Sequence, residues 1–356
     1  MKKKLKEFAL KYLNTASPVG FEMAGQRVWL EYIKPYIDDF FVDTYGTAVG
    51  VINAESPYKV VIEAHADEIS WFVNYISAEG YLHVIRNGGS DEMIAPSKRV
   101  NIHTSKGIVK AIFGWPAIHV RNEKNNPIPN QKNIVLDCGC SNKEEVAELG
   151  IHVGCVVTYE DEPMFLNEKF LVGRALDNRA GGIMIAEVAR RLHKNQIKLP
   201  FGLYIVNSVQ EEIGLRGAEM ITERIKPNVA IVTDVCHDTH SPLYDKVVSG
   251  DIKTGKGCVL SYAPAVHNNL LNKLIETATK NNIAFQRMAS SRSTGTDTDS
   301  FAYSNGGVAS ALISLPLKYM HTTVETVHIE DMESVINLMY QFLVQLEANT
   351  DFGYKL

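Results

Sequence analysis

The sequence predicts an α/β protein with a mostly parallel central sheet flanked by helices, interrupted by a small β-rich, barrel-like insertion. Three observations carry this. Helix and strand patterns alternate before residue 70 and again after residue 164, residues 71–163 are almost wholly short β segments, and the 356-residue length exceeds the ~250–300 at which a single core stops growing. Leu5, Phe8, Ala9 and Leu13 recur at helical spacing, and Ser17-Pro18-Val19-Gly20 ends that helix. A second helix follows, with Val28, Leu30, Ile33 and Tyr36 as its inward positions. Residues 59–65 form an apolar run closing on polar groups, which predicts a buried strand.

Between residues 71 and 163, β-rich runs alternate with Gly, Asn and Pro turns, broken only by a short helix near Lys143–Leu149. The alternation then returns. A helix beginning near Asn178 runs through Ile183, Met184, Val188 and Leu192, and a strand over 201–209 follows. Next come a helix near Gly217–Ile225, a strand over 228–233, a helix around Asn268–Asn281 and a strand over 308–315. A final amphipathic helix spans roughly Ile329–Ala348. The expected division is a discontinuous α/β domain, residues 1–70 and 164–356, around an inserted β-rich domain of residues 71–163.

Composition narrows the function. Hydrophobic residues make up 45% and charged residues 22%, as in an ordinary globular protein. The 36 Lys and Arg against 41 Asp and Glu leave a net charge of −5, so no broad basic face invites nucleic acid. Cys138, Cys140, Cys155, Cys236 and Cys258 lack C-x-x-C spacing and read as reduced thiols of a cytoplasmic protein. Lys6, Glu7 and Lys11 interrupt any signal-peptide apolar core after the N-terminal lysines, and no apolar run reaches the ~18 residues of a membrane span. No membrane partner is expected.

The chemistry lies at the predicted strand ends. His65 closes the first strand, with Asp67 two residues on. Glu211 and Glu212 follow the strand over 201–209, and Asp234 closes the next. His321 lies beyond the strand over 308–315, and Asp177 precedes the Asn178 helix. In an open α/β sheet, ligands bind outside the carboxyl ends of the strands. Two histidines with several carboxylates suit zinc, cobalt or manganese rather than calcium. Singly, each of these residues is as readily a cap, a turn or a core side chain. Together at one crevice, like charges on buried strand ends are costly without a cation.

The chain resembles the cytosolic metallo-aminopeptidases that include the tetrahedral (TET), deblocking and glutamyl aminopeptidases, some relatives of which are labelled endoglucanases. The resemblance rests on SPVGFE (17–22), EAHADEIS (63–70), NGGSD (87–91), SNKEEVAELGIHVG (141–154) and GRALDNRAGG (173–182). It continues through QEEIGLRGA (210–218), TDVCH (233–237), GTDTDS (295–300) and MHTTVE (320–325). It implies a zinc-peptidase-like fold and two divalent metals per chain, zinc first and cobalt or manganese as alternatives. His65 and Asp234 would hold one metal, Glu212 and His321 the other, and Asp177 both. Glu211 would be the general base and Asp67 the support of the His65 ring. It further implies a cis Asp177–Asn178 peptide, short-peptide substrates, and self-association through residues 71–163 into dimers and possibly tetrahedral dodecamers. Ala66, Ser70, Cys236, Thr298 and Asp299 depart from the family pattern, and residues 290–300 are expected to shape the substrate pocket. Two alternatives compete. A metal-free glycosidase needs only two carboxylates, which leaves His65 and His321 without a role. A non-catalytic relative should have lost a ligand or Glu211, and none is lost.

Overall fold

The computed structural model describes residues 1–121, 126–242 and 244–355. Four parallel strands form the middle of an 11-stranded sheet, in the order Gly202–Ser208, Lys59–His65, Val229–His237 and Ala309–Lys318. Their apolar runs are buried on both faces, as central parallel strands require. The expected fold class therefore stands.

Antiparallel strands border this block and were not legible beforehand. Ala48–Ile52 and Asp39–Val42 extend one side. Glu325–His328, Phe170–Gly173 and Met164–Leu166 extend the other. These strands run three to five residues, too short to display a period. The strand over 228–233 proves longer, reaching His237, so Asp234 lies within it opposite Ser314 of the neighbouring strand.

The helix Leu176–Lys194 packs against the His65 strand and against the C-terminal helix Ile329–Gln345. Close approach is built into it: a Cβ on Gly181 would stand 2.7 Å from the Ala64 Cβ. Trp29 of the helix Met23–Ile33 donates its indole N–H to the Gly182 carbonyl at 2.9 Å. Trp29 and Tyr32 join the expected Leu30 and Ile33 as buried residues here, while Val28 and Tyr36 are half-buried against the same core.

Residues 70–159 hold a closed antiparallel barrel of six strands, in the order Ser70–Ile76, Leu82–Asn87, Val135–Asp137, Gly107–Gly114, Arg99–Thr104 and Val156–Tyr159. Closure removes the exposed edges that so small a sheet would otherwise offer. Its separate core contains Trp71 against Phe113, ring centroids 5.6 Å apart, with Val146 from the short helix Lys143–Glu148. Among the described residues no helix is long and apolar enough to cross a membrane.

Two buried arginines lock the start of the chain beneath the sheet's carboxyl edge. Arg179 donates to the carbonyls of Tyr12 and of Thr15 (2.6 Å), satisfying the end of the first helix, Lys3–Asn14. Arg174 pairs with Glu68, whose other oxygen accepts the Ser17 N–H at 2.7 Å. Glu68 sits next to Asp67, so the pair anchors the loop leaving the His65 strand. Removing one partner of a buried pair typically costs about 3–5 kcal/mol. Arg174→Met should lower unfolding stability by that order in urea titrations, and an unchanged midpoint would contradict the anchoring role.

Candidate metal centre

Each candidate side chain reaches the crevice by a different backbone route. His65 is the last residue of its strand, and Asp67 follows it. The strand Gly202–Ser208 delivers the 3₁₀ turn Glu211–Ile213. Asp177 opens its helix with non-helical dihedrals (φ −79°, ψ 109°), and its peptide bond to Asn178 is cis, as the resemblance implies. His321 lies past the strand Ala309–Lys318 in the left-handed region, φ +61°.

These routes bring all seven predicted residues together. Asp177 lies between the histidines, Oδ1 3.2 Å from His65 Nε2 and Oδ2 3.3 Å from His321 Nε2. His65 Nε2 also has Asp234 Oδ1 at 3.9 Å and Glu211 Oε2 at 3.7 Å. Glu212 Oε1 stands 3.3 Å from His321 Nε2. Donor atoms of His65, Asp177 and Glu212 all lie within 4.8 Å of one another, as do those of His65, Glu211 and Asp234. The donor set is all imidazole nitrogen and carboxylate oxygen, which fits zinc, cobalt or manganese.

Asp67 and Glu325 hold the arrangement from behind. Asp67 accepts the Glu211 and Glu212 backbone N–H groups, each at 3.0 Å, and its Oδ1 lies 3.4 Å from His65 Nδ1, a buried nitrogen with no better partner. One carboxylate thus orients the imidazole and fixes the Glu-Glu turn. Glu325 does the same across the crevice, accepting the His321 N–H at 2.7 Å and the Asp177 N–H at 3.0 Å. Sequence reasoning missed Glu325. Its signal was the acid at the end of the Met-His-Thr-Thr-Val-Glu segment, four residues after His321.

The electrostatics follow from crowding acids in a buried place. Burial, opposed by His65 and reinforced by Asp234, Asp297 and Glu212, pushes the Glu211 carboxyl up to about 10. Burial likewise raises Asp234 well above the carboxylate range. Hydrogen bonds with Asp177 and Glu212 push His321 up to about 11. Burial alone would depress His65, yet Glu211, Asp177 and Asp67 drive it well above its ordinary value. Such a site has a strong demand for positive charge, which protons or divalent cations can meet.

The barrel touches this centre. Gly88 and Gly89 follow its strand Leu82–Asn87, and a Cβ on Gly89 would stand 2.7 Å from His321 Cε1 and Nδ1. Only a residue without a side chain leaves the imidazole its place.

The family model for M42 glutamyl aminopeptidases matches residues 46–338. The chain is 31% identical over 344 residues to a lysyl aminopeptidase of Pyrococcus furiosus, covering 96% of this chain and 97% of that one. Its fold matches a TET aminopeptidase from a marine-sediment thaumarchaeon with a TM-score of 0.92 at 27% identity, over 98% of both chains. The TET1 peptidase of Pyrococcus horikoshii, which assembles into a tetrahedron or a large octahedral shell, matches with a TM-score of 0.85 at 26% identity, over 96% of this chain and 100% of that one.

Displacing a ligand through its supporting contacts typically costs 10–100-fold in metal affinity. Gly89→Ala, which crowds the candidate ligand His321, should therefore weaken divalent-metal binding by about that factor in competition titrations against a chromophoric chelator. Wild-type affinity would mean that His321 does not depend on the glycine.

Proposed function

The chain belongs to the M42 glutamyl aminopeptidase family, and from that premise we propose a two-metal hydrolysis that removes the N-terminal residue of short peptides, with Glu211 as general base. Membership makes the protein a hydrolase and a metal-dependent aminopeptidase. The observation that supports the finer reading is the position of Asp177, with one oxygen toward each histidine. In this reading His65 and Asp234 hold one cation, His321 and Glu212 the second, and Asp177 both. Zinc is the metal proposed, with cobalt or manganese also compatible with these donors.

Two bound cations would supply Lewis acidity and lower the pKa of water toward neutrality. The residues of the chain then have separable tasks. Asp67 keeps the His65 ring in one orientation and, by binding two successive backbone N–H groups, fixes the turn carrying both glutamates. Glu212 faces His321, whereas the Glu211 carboxylate lies toward His65. Adjacent side chains diverging in this way allow one to ligate while the other accepts and returns a proton. A metal-free glycosidase would give His65 and His321 no work, so that alternative gains no support.

Self-association belongs to the same proposal, through residues 71–163 into dimers and from them a tetrahedral dodecamer. Exposed Ile108 and Ile112 on one barrel strand, with Ile118 and Val120 beyond it, offer apolar contact, and the Pyrococcus horikoshii relative forms such shells. A cytoplasmic location accords with five free thiols.

General acid–base catalysis contributes typically 10²–10⁴-fold. Glu211→Gln should lower kcat by about that factor while elemental analysis still finds about two metals per chain. Glu212→Gln should instead lose about one metal. Near-normal turnover by the Glu211→Gln protein would show the base to be another group. Light scattering of the metal-loaded protein should find a homo-oligomer, and a monomer at micromolar concentration would refute the association.

A further inference from the structure

We propose that the cavity beside the metal centre accepts an N-terminal residue with an uncharged, mainly apolar side chain, and discriminates against lysine and glutamate. The inference rests on the aminopeptidase reading and adds the substrate class. The cavity measures about 510 Å³ and opens directly from Asp177, Glu211, Glu212, Asp234 and His321. Beyond those residues its wall is Val235, Cys236, Tyr244, Met288, Ala289 and Met320, with neutral hydroxyls and a glycine from residues 249 and 290–296 completing it. Among the described residues, the further titratable side chains lining it are Cys236, Tyr244 and His237, whose Nδ1 lies 3.2 Å from the Tyr244 hydroxyl.

Most charged groups on the flanking segments are engaged elsewhere, and the exposed Arg292, on the loop between Ser290 and Thr294, does not line the cavity. Asp299 accepts the backbone N–H groups of Thr294 (3.0 and 3.1 Å) and Gly295 (3.1 Å), holding the loop that forms one wall. Asp238 accepts the His240 and Thr254 N–H groups at 2.8 and 2.7 Å. Lys246 pairs with Asp251 at 2.9 Å, and the Arg287 guanidinium covers the Phe285 ring at 4.8 Å. Among the described residues, then, the wall holds no carboxylate for a lysine ammonium and no lysine or arginine for a glutamate. In the proposed reading Asp177, Glu212 and Asp234 at the cavity floor would be committed to the cations, and Glu211 to proton transfer. A charged side chain would lose its hydration there without a partner, whereas leucine or methionine would gain contact with Met288, Met320 and Val235. The specificity in the names of the lysyl relative and of the glutamyl family is therefore not expected of this pocket.

The test is a panel of aminoacyl anilides with the zinc-loaded full chain at pH 8, where an ordinary imidazole is neutral. Leucyl and methionyl anilides should exceed lysyl and glutamyl anilides by at least ~20-fold in kcat/KM. A lysyl or glutamyl substrate cleaved fastest overturns this inference and leaves the peptidase reading intact. Failure of every anilide overturns that reading and the inference with it. Ala289 is exposed at the pocket wall, so Ala289→Glu adds a carboxylate without burying it. It should raise the lysyl-to-leucyl ratio about fivefold, the worth of a partly exposed ion pair. The ratio comes from one preparation and does not depend on the fraction folded. An unchanged ratio would remove Ala289 from the specificity wall and overturn the assignment.

Discussion

Asp177 shared between two imidazoles is the contact on which the rest of the centre depends. Its two oxygens face His65 and His321 from opposite sides, and Asp234 and Glu212 complete one half each. Six carboxyl groups gather here, Asp67, Asp177, Glu211, Glu212, Asp234 and Glu325, and among the described residues no lysine or arginine forms an ion pair with any of them. A protein interior tolerates such a set only with positive charge between the acids. Burial raises the proton affinities of Glu211 and Asp234, and the surrounding acids raise those of both histidines.

Holding the set open against mutual repulsion falls to backbone hydrogen bonds. Asp67 and Glu325 each clamp two backbone N–H groups, one pair on the Glu211–Glu212 turn and the other on Asp177 and His321. The clamps sit on rigid supports. Glu68, beside Asp67, is tied to Arg174 and Ser17, and Glu325 starts a strand paired to Phe170–Gly173. The barrel enters the same system through Gly89, which leaves just enough room for the His321 ring.

How much of this was legible in the sequence depended on length of pattern and on locality. The central strands could be read because both of their faces are apolar, and His65 stood out as the polar residue ending such a run. Helices with a long period, such as the one through Ile183 and Leu192, were equally plain. The bordering strands Ala48–Ile52 and Glu325–His328 were not, since four or five residues carry too little periodicity and their pairing is set by distant partners. Trp29 was overlooked as inward-facing although it stands one helical turn before the buried Ile33, the i, i+4 spacing of a single face. The ligand candidates came from strand ends together with family resemblance. Glu325 escaped because its function lies in the backbone groups it accepts, and an acid four residues after His321 does not by itself reveal them.

The central claim is that Asp177 lies between two cations, each completed by one histidine and one further carboxylate. Anomalous diffraction at the zinc edge, from crystals of the zinc-loaded protein, tests it most directly. The account predicts two peaks ~3.5–4 Å apart, with Asp177 between them, His65 and Asp234 at one and His321 and Glu212 at the other. A single peak, or peaks on other side chains, would contradict it.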